Sequence, residues 1–74
     1  MQATVEISLY PLRADYMEGV LGFLDRLAQA GDLEYSTNGM STRIHGETAR
    51  LFAFVAEEFE RAQEGGTTVL VLKA

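Results

Sequence analysis

Residues 37–46 of this 74-residue chain, TNGMSTRIHG, combine a turn-forming dipeptide with small side chains that carry hydroxyl groups. Asn38-Gly39 is typical of a two-residue β-hairpin, whose flanking positions usually hold β-branched or aromatic residues that pack across the strands. In this chain the flanking side chains are those of Ser36, Thr37, Ser41 and Thr42. Because hydroxyl groups both donate and accept hydrogen bonds, their clustering indicates recognition of a small polar molecule.

The side chains that most often perform catalysis or hold a metal are scarce in this sequence. It contains no cysteine and a single histidine, His45. Disulfides and thiolate ligands are therefore excluded, and one histidine alone does not make a zinc site. No Ser-His-Asp or Cys-His arrangement is visible. We therefore predict neither a metal nor a cofactor, and we expect no catalysis.

The composition predicts one small globular domain spanning residues 1–74. Apolar residues make up 47% of the chain, and its net charge is −5, whereas binding to nucleic-acid phosphates needs a basic face. The sequence enters a strand pattern at once, without a basic leader, and no apolar run approaches the roughly 20 residues of a membrane span. These features predict a cytoplasmic protein that binds neither nucleic acid nor membranes.

Residue spacing predicts a strand followed by a helix in the first half of the chain. In ATVEISLY, residues 3–10, every second residue is apolar, which is the period of a half-buried strand that Pro11 ends. Asp15 and Glu18 have the spacing of a capping box at the start of a helix, and Gly31 suits the cap at its end. The apolar stripe predicted for this helix comprises Met17, Val20, Leu21, Leu24, Leu27 and Ala28.

Two glycines lie inside this predicted helix, Gly19 and Gly22. Each destabilises the helix by about 1 kcal/mol relative to alanine. We expect close approach of another backbone to compensate for this loss.

The second half of the chain predicts a hairpin, a helix and a last strand. Residues 33–37 and 40–45 form two short strands that Gly46 ends, and TTVLVLK forms the strand that closes the domain. The helix between them ends at Gly65-Gly66 and has the apolar stripe Leu51, Phe52, Val55, Phe59 and Ala62. The order β-α-β-β-α-β predicts an α+β, ferredoxin-like fold, with an antiparallel sheet in the order 4-1-3-2 and both helices on one face.

This topology predicts a ligand site at one end of the sheet. A type I′ turn at Asn38-Gly39 places Tyr35 opposite Thr42, and the antiparallel first and third strands bring Leu9 toward Thr42. Hydroxyl, amide, carboxylate, aromatic and thioether groups then converge there, as expected of a small-molecule pocket. The candidate ligand-binding residues are Ser8, Tyr10, Asp15, Tyr16, Asn38, Met40, Ser41 and Thr42.

Several of these candidates also have a purely structural interpretation. Asn38 is a common turn former, Asp15 is a suitable helix cap, and Met40 could simply fill a gap in the core. The functional interpretation depends on their convergence rather than on any one of them.

The last strand predicts self-association. Val69, Leu70, Val71 and Leu72 make both of its faces apolar, whereas helices cover only one face of the predicted sheet. A second copy of the chain is the economical cover for the open sheet face. We therefore expect a dimer or a tetramer.

Three segments resemble the small thiamine-binding family and its YkoF-like relatives: EISLYPL, DYMEGVLGFLDRL and TNGMSTRIHGE. The similarity covers nearly the whole chain, although His45 stands where related sequences often have an aliphatic or aromatic residue. The resemblance implies a ferredoxin-like domain that associates through sheet faces and binds thiamine or its hydroxymethylpyrimidine half. The family occurs both as oligomers of single units and as tandem pairs, so this single unit implies a site completed by a second subunit.

The resemblance thus implies non-catalytic binding of thiamine or hydroxymethylpyrimidine for salvage, storage or delivery. One alternative is a ligand-free assembly or regulatory module, in which the polar hairpin tip is a contact between subunits. The other is acylphosphatase-type hydrolysis, which this fold also supports. Arg13 lies in the corresponding loop, but Pro11 removes a backbone donor there and no glycine-rich phosphate cradle is present.

Overall fold

The computed structural model describes residues 1–11, 16–38 and 41–74, which form four strands and two helices. The first three elements in chain order are β1 (Gln2–Pro11), α1 (Tyr16–Ala30) and β2 (Glu34–Thr37). The last three are β3 (Thr42–Glu47), α2 (Thr48–Glu64) and β4 (Thr68–Lys73). The predicted β-α-β-β-α-β order is therefore confirmed.

The strands form one antiparallel sheet in the order β2-β3-β1-β4, which is the predicted order read from the other edge. Residues 2–7 of β1 pair with β3, and residues 6–11 pair with β4. The end of β1 therefore extends past the beginning of β3. The ferredoxin-like fold is confirmed.

The core lies between the sheet and both helices, because alternate strand residues point toward them. Its buried side chains are Val5, Ile7, Phe23, Leu27, Leu33, Ile44, Leu51, Phe54 and Val55. The rings of Phe23 on α1 and Phe54 on α2 lie 5.9 Å apart between centroids. Within the described ranges, no helix is both long enough and apolar enough to cross a membrane.

The two helices are rotated relative to the predicted stripes. Met17 and Leu21 of α1 are exposed, and Phe23 is buried instead. Phe52 of α2 is likewise exposed, whereas Phe54 is in the core. Each helix has enough apolar residues for two neighbouring stripes, and packing of Phe23 against Phe54 selects one of them.

The hairpin register differs from the predicted one by one position in each strand. Thr37 lies opposite Thr42, and Tyr35 lies opposite Ile44 rather than Thr42. The Asn38 backbone N–H donates to the Ser41 carbonyl at 3.0 Å, so this pair closes the turn. The Asn38 side-chain oxygen accepts from the Ser41 backbone N–H, also at 3.0 Å. The two displacements add up to a register shift of two residues, so the described side chains of both strands keep their predicted faces.

Gly46 lies inside β3, contrary to the prediction that it ends the strand. A Cβ atom at this position would lie 2.5 Å from Cδ2 of Leu33, so glycine makes room for this core side chain. The helix begins immediately afterwards because Glu47 caps it, its carboxylate accepting from the Arg50 backbone N–H at 2.9 Å.

Candidate functional site

The predicted site residues lie on both faces of the sheet. Ser8 and Tyr10 point away from the helices, on what we call the open face, where they lie beside Val71 and Val69 of β4. Thr42 points toward the helices and is only 6% exposed. The sheet itself therefore separates Thr42 from Ser8 and Tyr10.

Ser41 and Asn38 lie at the hairpin tip and are hydrogen bonded to each other. The Ser41 hydroxyl also donates to Oε1 of Glu6 on β1 at 3.0 Å. This hydrogen bond, together with one from Arg43, lowers the pKa of the Glu6 carboxyl. These contacts connect the hairpin tip to the open face of β1, on the same side as Ser8.

Thr42 has a packing role in the described structure. Its hydroxyl lies 3.3 Å from that of Thr37, which satisfies the hydrogen-bonding capacity of a buried group. Ile7 lies directly opposite it in β1, whereas Leu9 is two residues further along the strand. Leu9 was expected to approach Thr42, but it lies two residues further along β1 than the residue that pairs with Thr42.

Three predicted site residues cannot be placed in the same detail. Asp15 and Met40 lie outside the described residues, as does the proposed capping role of Asp15. Tyr16 is the first residue of α1, but its side chain is also outside the described set.

A cavity of about 170 Å³ lies between the two helices and the sheet, on the helix-facing side of β1 at Leu9. Its floor is Leu9 near the end of β1, and its walls come from helix residues one turn apart. The cavity is lined by Leu9, Gly19, Val20, Phe23, Arg26, Glu58, Arg61 and Ala62. The cavity is partly open to solvent, and its combination of apolar and charged side chains makes it a candidate ligand site.

Helical spacing explains why these side chains meet. Gly19, Phe23 and Arg26 are separated by four and three positions on α1, and therefore share one face. Glu58 and Ala62 have the same relationship on α2. The side of the cavity next to the sheet is consequently apolar, and its charged groups all come from the helices.

An ion pair joins the two helices at the cavity wall. Nε of Arg26 donates to both carboxylate oxygens of Glu58, at 2.9 and 2.8 Å, and Nη2 donates to Oε1 at 2.7 Å. The Glu58 side chain is 5% exposed. The hydrogen bonds that Glu58 accepts raise the pKa of the Arg26 guanidinium, so the Arg26 side chain stays charged. Arg61 lies one turn beyond Glu58, with its Nε 3.7 Å from Oε2.

The sequence interpretation missed this cavity, although two signals for it were present. Glu58 lies three positions after Val55 and four before Ala62, so a charged residue interrupts the apolar stripe of α2. Gly19 is a poor helix former that lines the cavity. The expected backbone approach at the second glycine, Gly22, is wrong, since the nearest atom to an added Cβ would be Nη1 of Arg26 at 3.1 Å.

Metal binding has no support in the part of the chain that the structure describes. Within it, no three histidine, cysteine or acidic side chains are arranged to hold an ion. His45 is hydrogen bonded through Nδ1 to the Thr4 hydroxyl at 2.7 Å on the open face.

The described residues define a small ferredoxin-like domain with a cavity of about 170 Å³ between its helices. The model of the YKOF-related family matches residues 2–72, so the chain belongs to this family. A search of curated proteins found no match.

Solved structures share the fold at low sequence identity. A Thermotoga maritima protein provisionally assigned to thiamine biosynthesis or salvage is 21% identical, with a TM-score of 0.83, over 99% of this chain and 81% of its own. A Streptococcus pneumoniae protein is 20% identical, with a TM-score of 0.87, over 99% and 83%. A hypothetical protein from Methanocaldococcus jannascii is 23% identical, with a TM-score of 0.84, over 97% and 76%.

Proposed function

We propose that this protein binds thiamine or its hydroxymethylpyrimidine half without catalysing a reaction on it, as a cytoplasmic binder for salvage, storage or delivery. Membership of the YKOF-related family and the thiamine assignment of the Thermotoga relative support a thiamine-related role. The observation that carries the proposal is the cavity above Leu9, because it provides a partly apolar space of about 170 Å³ at the predicted end of the sheet.

The size of the cavity favours one ring of the vitamin. Pockets that enclose whole drug-sized ligands are typically about 300–1,000 Å³, whereas the space lined by the described residues is about 170 Å³. A flat aminopyrimidine between Phe23, Val20 and Leu9 would bury its faces against apolar groups. The thiazolium half of thiamine would then extend out of the cavity into solvent. Tyr16 remains a candidate contact because it precedes Gly19 by one helical turn.

The hairpin-tip residues enter the proposal as a second part of the site. Ser8, Tyr10, Asn38 and Ser41 lie toward the open face, and we propose that they contact ligand or protein at an interface between subunits. Asp15 and Met40 remain candidate contacts by sequence alone. Thr42, which is buried under the helices, supports the hairpin from within.

We propose self-association through the open face. Tyr10, Val69 and Val71 are each more than 40% exposed there, at 42%, 44% and 44%. They form an apolar patch at the β1–β4 edge of this face, next to a row in which Arg43, Glu6 and Lys73 alternate in charge. A second copy related by a two-fold axis would cover the patch and pair opposite charges.

Titration calorimetry with thiamine and with hydroxymethylpyrimidine tests the proposed function. Ala62→Leu should fill the cavity and abolish binding, whereas Ala53→Leu makes the same change at an exposed position of the same helix and should leave binding intact. Absence of heat for either compound at millimolar concentration, or equal binding by both variants, would contradict the proposal.

The exposed patch on the open face also favours the alternative of a ligand-free assembly module. A thermal-shift measurement separates the two functions, because a ligand at 100 times its Kd stabilises the folded state by about 2.7 kcal/mol. The assembly module would associate as predicted but would show no increase in melting temperature with either compound.

A further inference from the structure

We propose that the cavity between α1 and α2 prefers a ligand whose ring bears a phosphate ester, with Arg61 as the residue that recognises the anion. This inference rests on the proposed function and deepens it by naming the charge of the ligand. It follows from the charges that line the cavity, which belong to Arg26, Glu58 and Arg61.

The carboxylate of Glu58 is fully engaged by Arg26. Both of its oxygens accept hydrogen bonds from the Arg26 guanidinium, and the side chain is 5% exposed. A buried carboxylate held in this bidentate way has its charge balanced by its partner. Glu58 therefore offers little attraction to a cationic ring, and a thiazolium inside the cavity would face a neutral pair and a second arginine.

Arg61 supplies the charge that the pair leaves unbalanced. Its Nε forms a long ion-pair contact with Oε2 of Glu58 at 3.7 Å, which is beyond hydrogen-bond distance, and its side chain is 54% exposed. Among the described residues, no hydrogen bond to another side chain occupies its guanidinium. Its donors are thus available at the mouth of the cavity, in the fork geometry that matches a phosphate oxygen pair.

Arg26 can assist from the inner wall. Nε and Nη2 make its three hydrogen bonds to Glu58, and Nη1 lies over Gly22, where a Cβ would come within 3.1 Å of it. Two arginines against one glutamate give the cavity lining a net charge of +1, in a chain whose overall charge is −5. A local positive site on an acidic protein attracts an anion and orients it.

The hydroxyl group of hydroxymethylpyrimidine provides the attachment point for such an ester. With the ring against Leu9 and Phe23, a phosphate on the short methylene arm would extend from the apolar floor toward the arginines. The alcohol would keep the ring contacts and lack the charge-assisted hydrogen bonds. The ester should therefore bind at least about ten times more tightly than the alcohol.

Calorimetry on the whole protein with hydroxymethylpyrimidine and its phosphate ester tests this preference in three proteins: wild type, Arg61→Gln and Arg50→Gln. Arg50 is the matched control, because it is a partly exposed arginine of α2 that is paired with Asp32 and does not line the cavity. The wild type and Arg50→Gln should keep the tenfold preference for the ester, and Arg61→Gln should lose most of it. Added salt should weaken binding of the ester more than binding of the alcohol.

The outcomes distinguish this inference from the proposed function. Equal binding of alcohol and ester, or an unchanged preference in Arg61→Gln, overturns the phosphate preference and leaves pyrimidine binding intact. If neither pyrimidine binds, the proposed function fails, and benzyl phosphate against benzyl alcohol becomes the probe of the cavity. Binding of benzyl phosphate that Arg61→Gln removes would support an anion site, and no binding of it would overturn one.

Discussion

Arg26 of α1 and Glu58 of α2 are joined by three hydrogen bonds of 2.7 to 2.9 Å that connect the two helices across the wall of the cavity. The accepting carboxylate of Glu58 is 5% exposed, whereas that of Glu6, which accepts from Ser41 and Arg43, is 39% exposed. We therefore expect that the pair fixes the spacing of the helices around the cavity and that removal of one partner destabilises the fold.

Glu58→Gln should destabilise the fold by about 1.5–3 kcal/mol, since hydrogen bonds to a charged group contribute about this much and Arg26 would lose its charged partner. Urea unfolding followed by circular dichroism measures the change. Glu57→Gln, at the exposed neighbouring position, should change stability by less than about 0.5 kcal/mol. Equal stability of the two variants would show that the pair does not hold the helices together.

Gly19→Ala should raise stability and weaken ligand binding. Alanine stabilises a helix interior by about 1 kcal/mol relative to glycine, but its methyl group narrows the cavity that Gly19 lines. Melting temperature and calorimetry with hydroxymethylpyrimidine measure the two effects. Ala28→Gly, at an exposed site on the same helix, should lower stability and leave affinity unchanged. Unchanged affinity in Gly19→Ala would place the ligand elsewhere.

Acid should destabilise the protein through carboxylates whose pKa values folding lowers. The pKa of Glu47 is lowered by the backbone N–H groups of Arg50 and Ala49, and the pKa of Asp32 is lowered by Arg50. A carboxylate whose pKa is lower in the folded state than in the unfolded state stabilises the fold at pH values above its unfolded-state pKa. This contribution is lost as the pH falls through its folded-state pKa.

Glu47→Gln isolates one of these carboxylates. Its melting temperature should be lower than that of the wild type at pH 7, and the two curves should converge as Glu47 becomes protonated in acid. Thermal melts between pH 7 and pH 3 provide the test. A difference that stays constant across this range would mean that the charge of Glu47 does not contribute to the cap.

Gly46→Ala should destabilise the core by about 1–3 kcal/mol, because the added Cβ would lie 2.5 Å from Cδ2 of Leu33. Leu33→Ala alone creates a cavity and is also destabilising. The double variant should be more stable than the sum of the two losses predicts. Leu33→Ala removes the clash with the methyl group added at position 46, and that methyl group fills part of the space that Leu33→Ala creates. Additive losses in urea unfolding would rule out this contact.

Val71→Lys should shift the protein to the monomer. It places a charge in the apolar patch on the open face, where Val71 is 44% exposed. Light scattering after gel filtration should give a multiple of 8.2 kDa for the wild type and about one chain for the variant. Ala53→Lys on α2 adds the same charge away from the sheet and should stay associated. A monomeric wild type at high concentration would contradict self-association.

Local patterns were enough to predict the fold, because each strand and helix has a clear period. Alternation in ATVEISLY predicts β1, and turn residues separate the remaining elements in the correct order. Whether Phe52 or Phe54 is buried depends instead on which face of α2 packs against Phe23. That contact joins residues far apart in sequence, so helical periodicity alone does not select it.

The candidate site was harder to predict, for two physical reasons. Asn38 uses its side chain to close the turn with Ser41, which moves the hairpin register by one residue per strand. A buried Glu58 is stabilised only by its partner Arg26 on the other helix, and sequence spacing does not reveal such a pair. Hydroxyl clustering pointed to the end of the sheet near which Leu9 lies, but it gave no indication of the cavity on the helix-facing side.

Chemical-shift mapping of the ¹⁵N-labelled protein during titration with hydroxymethylpyrimidine tests the central claim most directly. We predict saturable shifts of the backbone amides of Leu9, Val20 and Ala62, which line the cavity. Ala53 and Glu57, on the exposed face of α2, should not shift. A titration to millimolar ligand that leaves the cavity amides unchanged would contradict binding between the helices.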